Sequence, residues 1–273
     1  MAGGASSRMK KSLGSVPLSD SVREAAKNLH KSLIPLDDKA RPLLYFLLRN
    51  AVEAGIRSIY LITSSGNKAF QDFVQGIKGQ EPLRHLEVKF AIQEIPMNRQ
   101  KPLGTADALE QCLEQYPGLL EQRFTVCNGD NLYSSDVFKQ LNTMREIPNA
   151  LIAYDGSALG HSKEKIAKFA LLDFDEKNLL NSILEKPSAI ELEKYTRKHN
   201  KLWVSMNIFN FDGATIFPYL KKCPVHPIRQ EKELPKAVEQ MVDERPGSVL
   251  CIQKSEEIPD LTSAKDISSF FQK

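Results

Sequence analysis

Phe124-Thr125-Val126-Cys127-Asn128-Gly129-Asp130-Asn131 is apolar and β-prone as far as Cys127 and turns polar at once after it. Phe, Thr and Val suit a pleated, buried strand, whereas Asn, Gly and Asp tolerate the backbone of a tight exit. The run therefore predicts a strand over residues 124–128 that delivers a carboxylate, Asp130, to its carboxyl end. Open α/β sheets bind ligands at that edge. A magnesium ion favours one or two such carboxylates, completed by phosphate oxygens and water. The same three residues also suit a plain strand-to-loop turn, so Asp130 gains weight only from its context.

Outward from this strand, β-rich runs alternate with helical patterns. Residues 40–55 predict a helix, with Leu44, Leu47, Leu48 and Ala51 on one stripe and Gly55 ending it. Strands are expected at 58–63, 87–93 and 150–154, and helices at 105–116 and 134–147. Beyond residue 160 the pattern changes. Residues 167–173 and 179–185 read as a hairpin, 202–211 and 248–253 as strands, and 213–222, 233–243 and 262–271 as helices. The fold class is α/β: a Rossmann-like, mainly parallel but mixed sheet with helices on both faces. One domain over residues 1–273 is expected, with a nucleotide-binding half at 1–150 and a substrate-binding half at 151–273.

Composition narrows the class. A 273-residue chain with 41% hydrophobic and 26% charged residues is typical of a globular protein. Net charge is only +3, without the dense basic stripe of a nucleic-acid groove. No apolar run is long enough to span a bilayer, so neither nucleic acid nor a membrane is an expected partner. Cys112, Cys127, Cys223 and Cys251 are too widely spaced for a zinc knot and read as reduced thiols in a cytoplasm.

Other motifs bear on chemistry. Ala2-Gly3-Gly4-Ala5-Ser6-Ser7-Arg8 offers side-chain-free backbone whose N–H groups can wrap a triphosphate, with an arginine to fork onto its oxygens. It also suits a Gly/Ser-rich tail. Lys31 precedes an apolar turn ending at Pro35, as many surface lysines do. Gly104-Thr105 opens a helix, which fits either close approach to a nucleotide or a simple helix cap. Leu184-Glu185-Lys186-Pro187 ends a strand with an anion, a cation and a stop, and Asn207 lies inside a strand, where a polar side chain needs partners.

Taken in order, Gly-Gly-x-x-x-Arg, the lysine before a proline, Gly-Thr-Ala, Asn-Gly-Asp, Glu-Lys-Pro and the asparagine strand resemble the sugar nucleotidyltransferases, or nucleoside-diphosphate-sugar pyrophosphorylases. The Val204-Ser205-Met206-Asn207 and Lys232-Glu233-Leu234-Pro235 segments look most like uridylyltransferase-type members. The resemblance implies a magnesium-dependent condensation of a nucleoside triphosphate with a sugar 1-phosphate to give an NDP-sugar and pyrophosphate. It implies that Ala2, Gly3, Gly4, Gln93, Gly104 and Thr105 bind the nucleotide, and that Arg8, Lys31 and Lys186 act on the phosphates. By the same resemblance Glu185, Lys186 and Asn207 bind the sugar phosphate, and Asp130 and Asp260 hold Mg2+. A sugar-phosphate oxygen is already an anion near neutral pH, so positioning and charge neutralisation suffice and no Ser-His-Asp arrangement is expected.

Two departures from the family accompany it. Residues 10–29 are longer than many members carry there, and Ser19 is placed to cap a short helix that could serve as a mobile lid. The strand that precedes the glycine loop in this family is missing, so the natural chain is expected to begin upstream with an apolar β-rich run ending at Met1-Ala2. A non-catalytic nucleotide-binding protein and a transferase with a non-sugar acceptor remain alternatives. The base, the sugar and the oligomeric state stay open.

Overall fold

The computed structural model describes residues 1, 6–185, 187–199 and 201–271. Ala2, Gly3, Gly4 and Lys186, all expected at the site, lie outside the described residues. The chain forms two compact units, one of Met1–Glu94, Asn128–Lys139 and Pro259–Lys273, the other of Ile95–Cys127 and Gln140–Ile258.

In the first unit, β1 (Ser58–Thr63) and β2 (Glu87–Ile92) pair in parallel, from Ser58 opposite Glu87 to Thr63 opposite Ile92. The helix Lys68–Ile77, which the sequence reading did not assign, lies between them in the chain and buries Phe70 and Ile77. Among the described strands β1 pairs with β2 alone. The chain start is close by the loop of interest, since the carbonyl of Met1 accepts from the Gly129 N–H at 3.0 Å.

The helix expected over 40–55 runs Leu43–Glu53 and buries Leu43, Leu44, Leu47, Leu48 and Ala51. Its late start has a local cause. Asp37 accepts from the Arg41 N–H at 2.8 Å and from its Nε at 2.6 Å, which closes a turn with Ala40 at φ 56. Pro35 then bridges to Pro42, so the helix opens only after it. Gly55 does end it, at φ 90.

Residues 10–29 are packed rather than poised as a free lid. Ser19 caps the helix Asp20–Asn28 by accepting from the Val22 N–H at 3.4 Å. Val22 and Ala26 then bury in a cluster with Met9, Leu13, Ile34, Leu36, Leu43, Leu261, Ala264 and Ile267. Arg23 adds two bonds to the carbonyls of Leu13 and Val16, at 2.8 and 3.4 Å. The last helix, Ala264–Phe271, contributes Ala264 and Ile267 to the same cluster, so the two ends of the chain share one core.

The second unit is built on six strands: β3 (Arg123–Cys127), β4 (Asn149–Asp155), β5 (Ala170–Phe174), β6 (Leu180–Leu184), β7 (Trp203–Asp212) and β8 (Val249–Lys254). Their order is β6-β5-β7-β4-β8, with β3 also on β7. The α/β class holds, and the sheet is more mixed than the expected mainly parallel one. β7 runs against β3, β4 and β5, the β5–β6 pair is the expected hairpin, and of these pairings β4 with β8 is parallel. The helix expected over 134–147 stops at Asn142 because Arg145 turns back on it, donating to the Leu141 and Thr143 carbonyls at 2.8 and 3.1 Å. The helices Thr105–Gln115, Gly213–Lys222 and Leu234–Glu244 were legible, whereas Ala189–His199 was not assigned.

Candidate active site

In the first unit, the loop after β3 carries Asp130 and the 3-10 turn Lys31–Leu33 carries Lys31. The two are 99 residues apart in sequence, yet the Lys31 Nζ donates directly to the Asp130 carboxylate. Both are largely shielded, with side chains 13% and 23% exposed, so this is not a loose surface pair. The lysine backbone is fixed as well, because its N–H donates to Ser6 Oγ at 3.1 Å. Ser6 is in the left-handed region at φ 52, immediately before the helix Ser7–Ser12.

His30 stands beside this pair as a neutral imidazole. Burial, then the Lys31 charge, lowers its pKa to about 4, against a smaller opposing pull from Asp130. The ring agrees, since Nδ1 accepts from the Ser32 N–H at 3.2 Å and therefore carries no proton. The neutral ring adds no charge to those of Lys31, Lys10 and the N-terminus, all of which lower its pKa. The sequence reading quoted His30 and gave it no role.

Asp260 arrives on a segment that pairs with the Asp130 loop. Asn131 and Asp260 form an antiparallel bridge, the Leu261 N–H donates to the Asp130 carbonyl at 2.8 Å, and the Leu132 N–H to the Pro259 carbonyl at 2.9 Å. Asp260 is 9% exposed, and both its carboxylate oxygens accept from the Thr262 hydroxyl at 2.9 and 2.7 Å. Two carboxylates on adjoining segments form an all-oxygen donor set. They fit an ion that completes its shell with substrate phosphate and water. Among the described residues no group of three or more His, Cys, Asp or Glu is placed to form a cage. Arg8, exposed on the helix Ser7–Ser12, and Gln93, buried just past β2 with its N–H on the Thr63 carbonyl at 2.8 Å, belong to the same unit.

The second unit holds the other candidates. Asn207 is left-handed, at φ 56, in the middle of β7. There the partner of β4 jumps: Leu151 faces Phe209 but Ala153 faces Ser205, so two steps on β4 match four on β7. On its other side β7 leaves β5 at Ser205 and takes up β3 at Ile208, so Asn207 falls at the change of partner. Its N–H goes to Ser205 Oγ at 3.2 Å. Bulges and left-handed residues are over-represented beside active sites, which keeps Asn207 among the candidates. Glu185, exposed just past β6, has the Arg229 Nη1 at 4.0 Å, while Nη2 of the same guanidinium binds Glu233 at 2.5 Å. Arg229 was not singled out by sequence reasoning.

Gly104 and Thr105 serve the protein itself. Gly104 has φ 118, and a Cβ built there would lie 2.3 Å from the Lys232 carbonyl oxygen. The Lys232 carbonyl accepts from the Ala106 N–H at 3.0 Å, and Thr105 Oγ1 accepts from the Leu234 N–H at 2.9 Å. The glycine is needed for a close approach of chain to chain, a reason for Gly104 that does not depend on a nucleotide.

Comparison with known proteins bears on the family and the fold. The nucleotidyl transferase profile matches residues 1–267. The chain belongs to the nucleotidyl transferase family. It is 25% identical over 208 residues to a glucose-1-phosphate adenylyltransferase of Koribacter versatilis, covering 70% of this chain and 48% of that one. The small subunit of the glucose-1-phosphate adenylyltransferase of Triticum aestivum is 25% identical over 209 residues, 74% of this chain and 42% of the relative. YngB of Bacillus subtilis, a UTP–glucose-1-phosphate uridylyltransferase, is 24% identical over 204 residues, 68% of this chain and 66% of its own length. The chain thus spans about half the length of the first two relatives. Its fold is similar to that of a UDP-glucose pyrophosphorylase solved with UDP-glucose: TM-score 0.71, 14% identity, 98% of this chain and 94% of that one.

Proposed function

We propose that this chain condenses a nucleoside triphosphate with a sugar 1-phosphate, releasing pyrophosphate. The observation that carries the reading is the meeting of Lys31 with Asp130 beside the Asp260 segment. A cation able to grip phosphate next to two carboxylates is the equipment that phosphoryl chemistry requires.

In this reaction an oxygen of the sugar phosphate attacks the α-phosphorus of the triphosphate. The bond from that phosphorus to the bridging oxygen of the β-phosphate breaks, and pyrophosphate leaves with the electron pair. The attacking oxygen is already anionic, so the work is to align two polyanions and neutralise them. Lys31 exchanges its carboxylate partner for triphosphate oxygens, and the neutral His30 adds no competing cation. Arg8, with the glycine loop of Ala2, Gly3 and Gly4, grips the triphosphate. Lys186, Glu185 and Asn207 take the sugar phosphate, and Gln93 reads the base. Asp130 and Asp260 would hold Mg2+, which when bound neutralises phosphate charge.

The relatives named above share glucose 1-phosphate while differing in the base, so that sugar with ATP and UTP heads the substrate set. The four cysteines are free and no helix among the described residues is long and apolar enough to cross a membrane; a reducing compartment, the cytoplasm, suits such a chain. A coupled assay of pyrophosphate release over a matrix of nucleoside triphosphates and sugar 1-phosphates tests the reading. Release that requires both substrates supports it, and a blank matrix removes it.

A further inference from the structure

Asp260 lies in a stretch without regular structure, between β8 and the helix Ala264–Phe271. Its carboxylate is nonetheless held by the Thr262 hydroxyl, whose Oγ1 reaches both oxygens at 2.9 and 2.7 Å. Thr262 is fixed in turn. Its N–H donates to Asp266 Oδ2 at 3.0 Å, and the Ser263 N–H and hydroxyl donate to the same oxygen at 2.6 and 3.0 Å. Asp266 sits in the first turn of that helix and reaches back over its start, as the acidic member of a capping box does. The next donor, the Ala264 N–H, goes to Ser12 Oγ at 2.9 Å, and the Ser12 hydroxyl donates to the Met9 carbonyl at 2.9 Å. A chain of bonds therefore runs from the Asp260 carboxylate to the helix Ser7–Ser12, whose Met9 is fully buried in the core shared by Leu261, Ala264 and Ile267.

A carboxylate offers about four lone-pair directions. The Thr262 hydroxyl, shared between both oxygens, sets the rotamer of that carboxylate. We propose that Thr262 is a positioning residue that presents the Asp260 carboxylate to a divalent cation shared with Asp130. Asp266 holds Thr262 in place, and Ser12 fixes Ala264 two residues on. This rests on the reading of Asp130 and Asp260 as the metal-holding pair.

The test is a titration of the full chain with Mn2+ alone, followed by electron paramagnetic resonance, for the wild type, Asp260→Asn, Thr262→Val and Thr262→Ser. Loss of a partner that orients a metal ligand lowers affinity by about 10- to 100-fold. Asp260→Asn and Thr262→Val are expected to show a weakening of that order, while Thr262→Ser keeps wild-type affinity because it keeps the hydroxyl. Matching thermal midpoints and circular dichroism establish that the variants are folded, and Thr262→Ala replaces the valine variant if valine is not accommodated. Weakening by Asp260→Asn with none in the hydroxyl-free variant overturns the role of Thr262 alone. Unchanged affinity in Asp260→Asn, or a wild type that binds no Mn2+, overturns the carboxylate-pair reading and this inference with it.

Discussion

Replacing Gly104 by alanine separates a glycine kept for the fold from one kept for a nucleotide. At φ 118 and ψ −173 the residue occupies a region that only glycine enters readily, and a side chain there costs roughly 1–3 kcal/mol. The added Cβ would also stand 2.3 Å from the Lys232 carbonyl oxygen and 2.8 Å from its nitrogen. Those atoms belong to backbone, so relief requires the Lys232 segment to move. That movement stretches the bond from the Ala106 N–H at 3.0 Å and the bond from the Lys232 N–H to the Leu103 carbonyl at 2.6 Å. At about 0.5–1.5 kcal/mol each, the two bonds bring the expected destabilisation to roughly 2–6 kcal/mol. Against a whole-protein stability of about 5–15 kcal/mol, such a loss is plain in urea unfolding followed by the fluorescence of Trp203. A variant as stable as the wild type refutes the reasoning. If that stable variant had also lost triphosphate affinity, the glycine would face the nucleotide after all.

Asp130→Asn keeps the shape and removes the charge, and turnover should fall by about two to four decades, as on loss of a metal ligand or key electrostatic group; normal turnover at low magnesium contradicts the assignment. His30 has a folded pKa of about 4, below its ordinary 6.5, so the unfolded chain takes up the proton first as pH falls. Its contribution is complete above pH 6.5 and is lost between 6.5 and 4, up to about 3 kcal/mol. His30→Asn, which keeps an acceptor for Ser32, should flatten that part of the stability curve, and an unchanged slope counts against a buried neutral ring. Burial raises the thiol pKa of Cys112 to about 11 and moves Cys223 and Cys251 upward too, while Cys127 is less buried. Iodoacetamide at mildly alkaline pH should therefore modify Cys127 first in the native protein, as peptide mapping would read out, and prior labelling of Cys251 would contradict the packing.

Strands were legible because a buried strand writes itself as an apolar run, as at 58–63 and 123–127, within a residue or so of the observed ends. Helix starts were less legible because tertiary hydrogen bonds set them. Asp37 with Arg41 delays one helix, and Asp266, by taking the N–H groups of Thr262 and Ser263, delays another. The site residues Lys31 and Asp130 were named from an ordered set of motifs, but no spacing could show that they touch. The close approach of Gly104 to Lys232 was not legible, because Lys232 is far along the chain. Asn207 was read as a strand asparagine in need of partners, but its left-handed backbone at the change of partner along β7 was not legible. Residues 10–29 looked like a lid because the cluster that holds them draws on both ends of the chain.

The central claim concerns which bond is made and which broken, and phosphorus resonances report both. The chain is incubated with magnesium, UTP or ATP, and glucose 1-phosphate, and the mixture is followed by 31P nuclear magnetic resonance. The account predicts equal loss of triphosphate and sugar 1-phosphate, with matching gain of pyrophosphate and of the paired resonances of a nucleoside diphosphate sugar. Release of orthophosphate with sugar 1-phosphate untouched, or no change with any triphosphate, would contradict it.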